Sequence, residues 1–220
     1  YGYYHHKQAI RKAGVAIVTE GYFDVNGLEM IGITNTVATC GTALTEEHCK
    51  AIRRLVPKVD LAYDGDEAGI KATIKAIPIA LDQGLVVDVI PFEPGQDPDD
   101  WRLDNPEGKL EGLNWVDWYH AYVYSKNGTD AEKKAELLNT VREIVQNCKN
   151  TIIRSVYADD VKRLWNIELS LDDGPELAPI ERKVETEELI DPMEREILRC
   201  LVFETDYLGH LDEILGDITM

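Results

Sequence analysis

The 220-residue sequence is 44% hydrophobic and 29% charged, a mixture that excludes wholesale disorder and a fibrous architecture. Its formal net charge is −18, which argues against a surface that grips nucleic acid all over. The excess is uneven: residues 1–92 carry a net −2 and residues 93–220 a net −16, so the first part can still meet a polyanion.

No apolar run reaches the ~20 residues of a membrane span, so no membrane partner is expected. No signal-peptide pattern is visible and the first residue is Tyr, so the chain reads as a piece of a longer protein. Cys40, Cys49, Cys148 and Cys200 are widely spread, with no C-x-x-C and no nearby histidine pair. Neither a zinc site nor a disulfide framework is expected, and a reducing, cytoplasmic setting fits best.

In chain order, Val15 to Thr19 reads as a buried strand broken by Glu20-Gly21. A short helix follows from Asp24 to Ile31, and Thr36 to Cys40 is a second strand. Thr45 is a good N-cap, with Glu46 and Glu47 in the first turn where the helix dipole favours them. Cys49, Ile52 and Val56 then line one helix face, and Lys50, Arg53 and Arg54 a solvated one. Val59 to Tyr63 is a third strand, broken by Asp64-Gly65-Asp66. Ile70, Ile74, Ile77 and Leu81 make a helical stripe in which Pro78 predicts a kink or a second start. Val86 to Ile90 is a fourth strand, followed by the turn-rich stretch Pro91–Asp100. Strands alternating with helices make βαβ units and a mostly parallel, four-stranded α/β sheet flanked by helices. After residue 100 the strand signal disappears, and Trp115–Tyr124, Ala131–Cys148 and Ile153–Leu164 read as a helical segment. Ser170 to Ile190 is acidic with no clear period, and Met193 to Leu215 reads as one or two further helices.

The acids carry the chemistry. Glu20 follows the first strand, Asp24 lies one helical turn on, Asp64 and Asp66 follow the third strand, and Asp97 and Asp99 follow the fourth. Ligands of open α/β sheets bind at the carboxyl ends of the strands, so the six carboxylates should meet at one rim. They would repel each other unless cations neutralise them, and hard oxygen ligands without Cys or His select Mg²⁺ or Mn²⁺. Carboxylate-held magnesium commonly serves phosphoryl or nucleotidyl transfer. Each motif has a bland alternative: Asp64–Gly69 as a solvated helix cap, Asp97-Pro98-Asp99 as a turn, Glu20 as a common strand end. A calcium loop fails, because its third ligand position is Ala68 and its closing Glu position is Lys75. Lys7, Arg11 and Lys12 could edge a nucleic-acid groove, though terminal basic residues are common. The five histidines form no catalytic arrangement.

At these residues the sequence resembles the TOPRIM domain of bacterial DNA primases of the DnaG type. The matching pieces are Glu20-Gly21-Tyr22-Phe23-Asp24-Val25, Ala38-Thr39-Cys40-Gly41-Thr42-Ala43-Leu44-Thr45, Tyr63–Gly69 and Gly95-Gln96-Asp97-Pro98-Asp99, in family order. The resemblance implies RNA primer synthesis on single-stranded DNA from ribonucleoside triphosphates. It also implies Glu20, Asp64 and Asp66 as central catalytic and metal acids, with Asp24, Asp97 and Asp99 completing the metal site. It implies residues 1–12 as the end of a preceding primase subdomain and 13–100 as the TOPRIM domain. Residues 101–168 would be a helical subdomain, 169–191 an acidic linker, and 192–220 the start of a region that binds a replicative helicase. The family's zinc module and basic subdomain are not among these residues. A metal-dependent TOPRIM nuclease and a non-enzymatic docking fragment are the alternatives.

Overall fold

The computed structural model describes residues 1–127 and 131–169, all within one of the chain's two contact-defined units, Tyr1–Ala178. The linker and helicase-binding expectations for 169–220 fall outside these residues, Leu169 excepted.

The central strands are short apolar runs with helices on both faces. β1 (Ala16–Thr19) is buried at every position, and so is β2 (Thr36–Ala38). β3 (Lys58–Leu61) alternates charged and apolar residues, while β4 (Val86–Val89) carries a single charge, Asp88, among three valines. β2 and β3 flank β1, and β4 flanks β3, all in parallel; Val18 sits opposite both Val37 and Leu61. A fifth strand, β5 (Leu113–Asn114), adds to β4 antiparallel, giving the order β2-β1-β3-β4-β5. The four-stranded expectation missed it because two residues carry no periodicity. The chain turns outward in opposite directions from β1 and β3. The crevice between them is therefore the topological switch point, where open α/β sheets bind ligands.

On one face lie α1 (Tyr3–Ala13), α3 (Glu46–Leu55) and α4 (Glu67–Asp82), joined by α6 (Trp115–Asn127), α7 (Ala131–Asn147) and α8 (Thr151–Trp165). Ile10, Ile52, Ile77, Leu81, Trp115 and Tyr157 meet Val18, Val59, Leu61 and Val87 in this core. Tyr157 ties α8 to β4, its hydroxyl accepting the Val87 N–H at 3.1 Å. The second core is smaller: Ile17, Ala62 and Ile90, with Ile33, Phe92 and Leu110 packed against them. α2 (Tyr22–Met30) packs on β1 and β2, and α5 (Pro98–Asp104) packs on α2.

Three details differ from the sequence reading. α4 is one helix through Pro78, with no second start. The stretch read as turns contains α5, which starts with Asp97 as N-cap and Pro98 at the first position. The helix expected over Asp24–Ile31 begins two residues earlier, at Tyr22.

Candidate active site

Glu20 leaves β1 at the switch point and is half-buried. It accepts a hydrogen bond from the Asp64 backbone N–H, while its Oε1 is buried with no hydrogen-bond partner among the described residues. Burial first, and then the charge of Asp66, raise its carboxyl above the usual range. Asp24 is held in the first turn of α2, where its Oδ2 accepts the Gly21 N–H at 2.8 Å. It is 7% exposed. Burial, followed by the charges of Asp97, Asp99 and Glu20, pushes it up to about 6 against the pull of the Gly21 hydrogen bond.

Asp64 follows β3 and is also pushed up to about 6, by burial and by the charges of Glu20, Asp24, Asp97 and Asp66. Asp66 caps α4, its Oδ1 accepting the Gly69 N–H at 2.7 Å. Gly69 has to be glycine here, because a Cβ would stand 2.2 Å from the Asp64 carbonyl oxygen. Asp97 caps α5 by accepting the Asp100 N–H at 2.6 Å. Asp99 accepts the Arg102 Nε–H at 2.5 Å.

The structure thus brings Glu20, Asp24, Asp64, Asp66, Asp97 and Asp99 into one electrostatic neighbourhood from three βα connections. It does not close them around one point: among the described residues no three His, Cys, Asp or Glu side chains are placed to hold one ion. Asp66, Asp97 and Asp99 each spend an oxygen on a backbone N–H or a guanidinium. The basic residues singled out in α1 lie elsewhere. Lys7 stands over the Tyr4 ring at 4.4 Å. Arg11 and Lys12 close α1 just before β1 begins, the end of that strand opposite Glu20.

Two residues of the site escaped sequence reasoning. A Cβ on Gly27 would meet Asp99 Oδ1 at 2.0 Å and Arg102 Nε at 2.6 Å. Gly27 therefore lets α5 lie against α2 and carries Asp99 to the rim. Arg102, within this contact, is the cation nearest Asp99. The only sequence signal for the pair was its i, i+3 spacing on an unrecognised helix.

Residues 17–101, from β1 into α5, match the family described as Toprim-like. The primase of Halalkalibacterium halodurans is 44% identical over 175 residues, 78% of this chain and 29% of that protein. The chain carries a TOPRIM domain of the DNA primase type. The Aquifex aeolicus primase is 40% identical over 120 residues, half of this chain and 24% of that protein. The crystal structure of its zinc-binding and RNA polymerase domains superposes with a TM-score of 0.61 at 29% identity, covering 76% of this chain and 41% of that one. The RNA polymerase domain of Mycobacterium tuberculosis DnaG, in complex with a DNA duplex bearing a 6-nucleotide overhang, gives 0.56 at 28% identity, covering 74% and 55%. The chain spans roughly a quarter of the length of these curated relatives.

Proposed function

We propose that the chain is part of a primase catalytic core that joins ribonucleotides into short RNA primers on single-stranded DNA. The observation that carries the reading is the carboxylate cluster at the β1/β3 switch point. It includes a buried Glu20 oxygen that no group among the described residues satisfies.

The donor set suits a hard divalent cation. All six side chains offer carboxylate oxygens, and Glu20, Asp24 and Asp64 have their pKa values raised first by burial and then by neighbouring carboxylates, a cost to the ionised forms that a cation would offset. Glu20, Asp64 and Asp66 would hold Mg²⁺ or Mn²⁺, with Asp24, Asp97 and Asp99 around them. Such an ion supplies charge neutralisation at the transferring phosphate and acidifies the attacking hydroxyl. The chain's own residues do the rest. Glu20, half-buried with a raised pKa, is suited to accept the proton of the primer 3′-hydroxyl. The backbone N–H of Asp64 fixes its carboxylate. Asp66 and Asp97 anchor the two helix starts that frame the rim. Single-stranded template and ribonucleoside triphosphates are the substrates this reading requires. A replicative helicase is its partner through the C-terminal region of which residues 192–220 are the start.

A chimera tests the reading. Residues 1–169 replace the matching segment of the Halalkalibacterium halodurans primase, and primer synthesis is measured. The chimera should retain synthesis, and Glu20→Gln within it should lose about 10²-fold or more, the scale of a lost general base. Undiminished synthesis by the Glu20→Gln chimera contradicts the assignment.

A further inference from the structure

A second feature of the rim lies on the other side of Glu20. A cleft of about 450 Å³ opens between the loop after β2 and the exposed flank of α4. Its volume falls in the roughly 300–1,000 Å³ range of small-molecule sites. It is lined by Glu20 and Tyr63, by Thr42 and Ala43 of the loop, and by Lys71 and Lys75 of α4.

Four observations describe what the cleft would hold. The backbone N–H groups of Gly41, Thr42, Ala43 and Leu44 make no hydrogen bond among the described residues. The loop is held instead by the Cys40 N–H on the Glu20 carbonyl at 2.8 Å and the Thr42 hydroxyl on the Thr39 carbonyl at 2.9 Å. Lys75 forms no ion pair among the described residues, whereas Lys71 is paired with Glu67 at 2.6 Å. Tyr63 is 6% exposed, and its hydroxyl, like Glu20 Oε1, is buried without a hydrogen-bond partner among the described residues. Free backbone donors opposite an unpaired ammonium suit a multiply charged oxyanion. A cationic ligand would be repelled by the ammonium, and a neutral one would leave its charge unbalanced.

We infer that this cleft is a polyphosphate subsite, in which Lys75 and the Gly41–Leu44 amides take the phosphate tail of a nucleoside triphosphate or the pyrophosphate released from it. The inference rests on the nucleotidyl-transfer reading, because the acids at the Glu20 end supply the cation that such a tail needs. The two sources share one chemistry and differ in whether a nucleoside is attached. Lys75 is a binding residue in this account. Its ammonium sits two helical turns into α4, on the same face as Lys71, and makes no contact with the carboxylates.

The test is calorimetric binding to the whole chain with Mn²⁺ present, using inorganic pyrophosphate, ATP and adenosine. The wild type should bind pyrophosphate and ATP, and adenosine should not bind measurably. Lys75→Gln should weaken both anions by about tenfold or more, the worth of one charged hydrogen bond. Lys75→Arg should recover most of that loss. Melting temperature and Mn²⁺ uptake should be unchanged in both variants. Pyrophosphate affinity in Lys75→Gln equal to wild type overturns the subsite, as does a wild type that takes up Mn²⁺ but binds no pyrophosphate. A loss confined to ATP would also overturn it, since Lys75 would then be reading the nucleoside. A wild type that takes up no Mn²⁺ fails one step earlier and sinks the nucleotidyl-transfer reading together with the subsite.

Discussion

Asp24 and Asp64 are each held about two units above the ordinary aspartate value, at about 6 against 3.8. A carboxyl whose folded pKa is raised adds stability below its unfolded pKa and loses it as pH rises through the folded one. Without metal, these two groups therefore cost the fold stability progressively between about pH 4 and 6. Asp24→Asn keeps an oxygen for the Gly21 N–H and removes the charge. In EDTA its melting temperature should pull above wild type as pH rises across that window. At pH 7.5 the gap should reach at least about 2 °C, which roughly 1 kcal/mol produces in a chain of this size. Melting curves that run parallel from pH 4 to 7.5 would show that Asp24 is solvated. At this scale the sequence was informative. The six acids were visible as strand-end residues, because residue type and the period of apolar runs fix where a βα loop falls. Gly27 and Arg102 were not visible. Their role depends on α5 meeting α2, a contact between elements that no local pattern encodes.

Among the elements, α4 and α5 show how local signals mislead. Pro98 followed an Asp, the pattern of a helix start, but the Pro/Gly-rich run before it read as turns. Pro78 read as a kink or a second start, and α4 continues through it as one helix because Ile77, Ala80 and Leu81 are buried in the core on either side. Packing outweighs the lost backbone hydrogen bond there. Pro78→Ala should accordingly restore a donor to the Ile74 carbonyl and raise stability, by up to about 3 kcal/mol. Urea unfolding measures this directly, and a midpoint at or below wild type would mean that Pro78 is built into the helix geometry. β5 was beyond reach of any periodicity. Asn114 ends it and serves three neighbours: it pairs opposite Asp88, accepts the Val116 N–H at 2.9 Å and donates to Asp160 at 2.7 Å. These are tertiary bonds that a two-residue strand does not announce.

For the whole chain, the charge balance works against template binding. Template binding rests on phosphate neutralisation by Lys and Arg, and the chain carries 23 of these against 41 acids. Supplied alone with template, Mg²⁺ and ribonucleotides, it should make little primer. Robust synthesis at low enzyme concentration would show that template affinity resides in these residues after all. The parallel sheet, its switch-point site and the placement of its acids followed from alternation of apolar runs and breakers. The sheet's antiparallel edge, α5 and the cleft beside Glu20 came only from how elements meet.

The central claim is that the rim acids form a cation site, and thermal melting against Mn²⁺ tests it most directly. Metal that binds the folded chain raises the melting temperature by mass action. The wild type should show this rise. Asp64→Asn and Asp66→Asn should lose most of it, while their metal-free melting temperatures stay equal to wild type or exceed it. Equal Mn²⁺ responses in all three proteins would contradict the account and leave the acids as solvated caps of α2, α4 and α5.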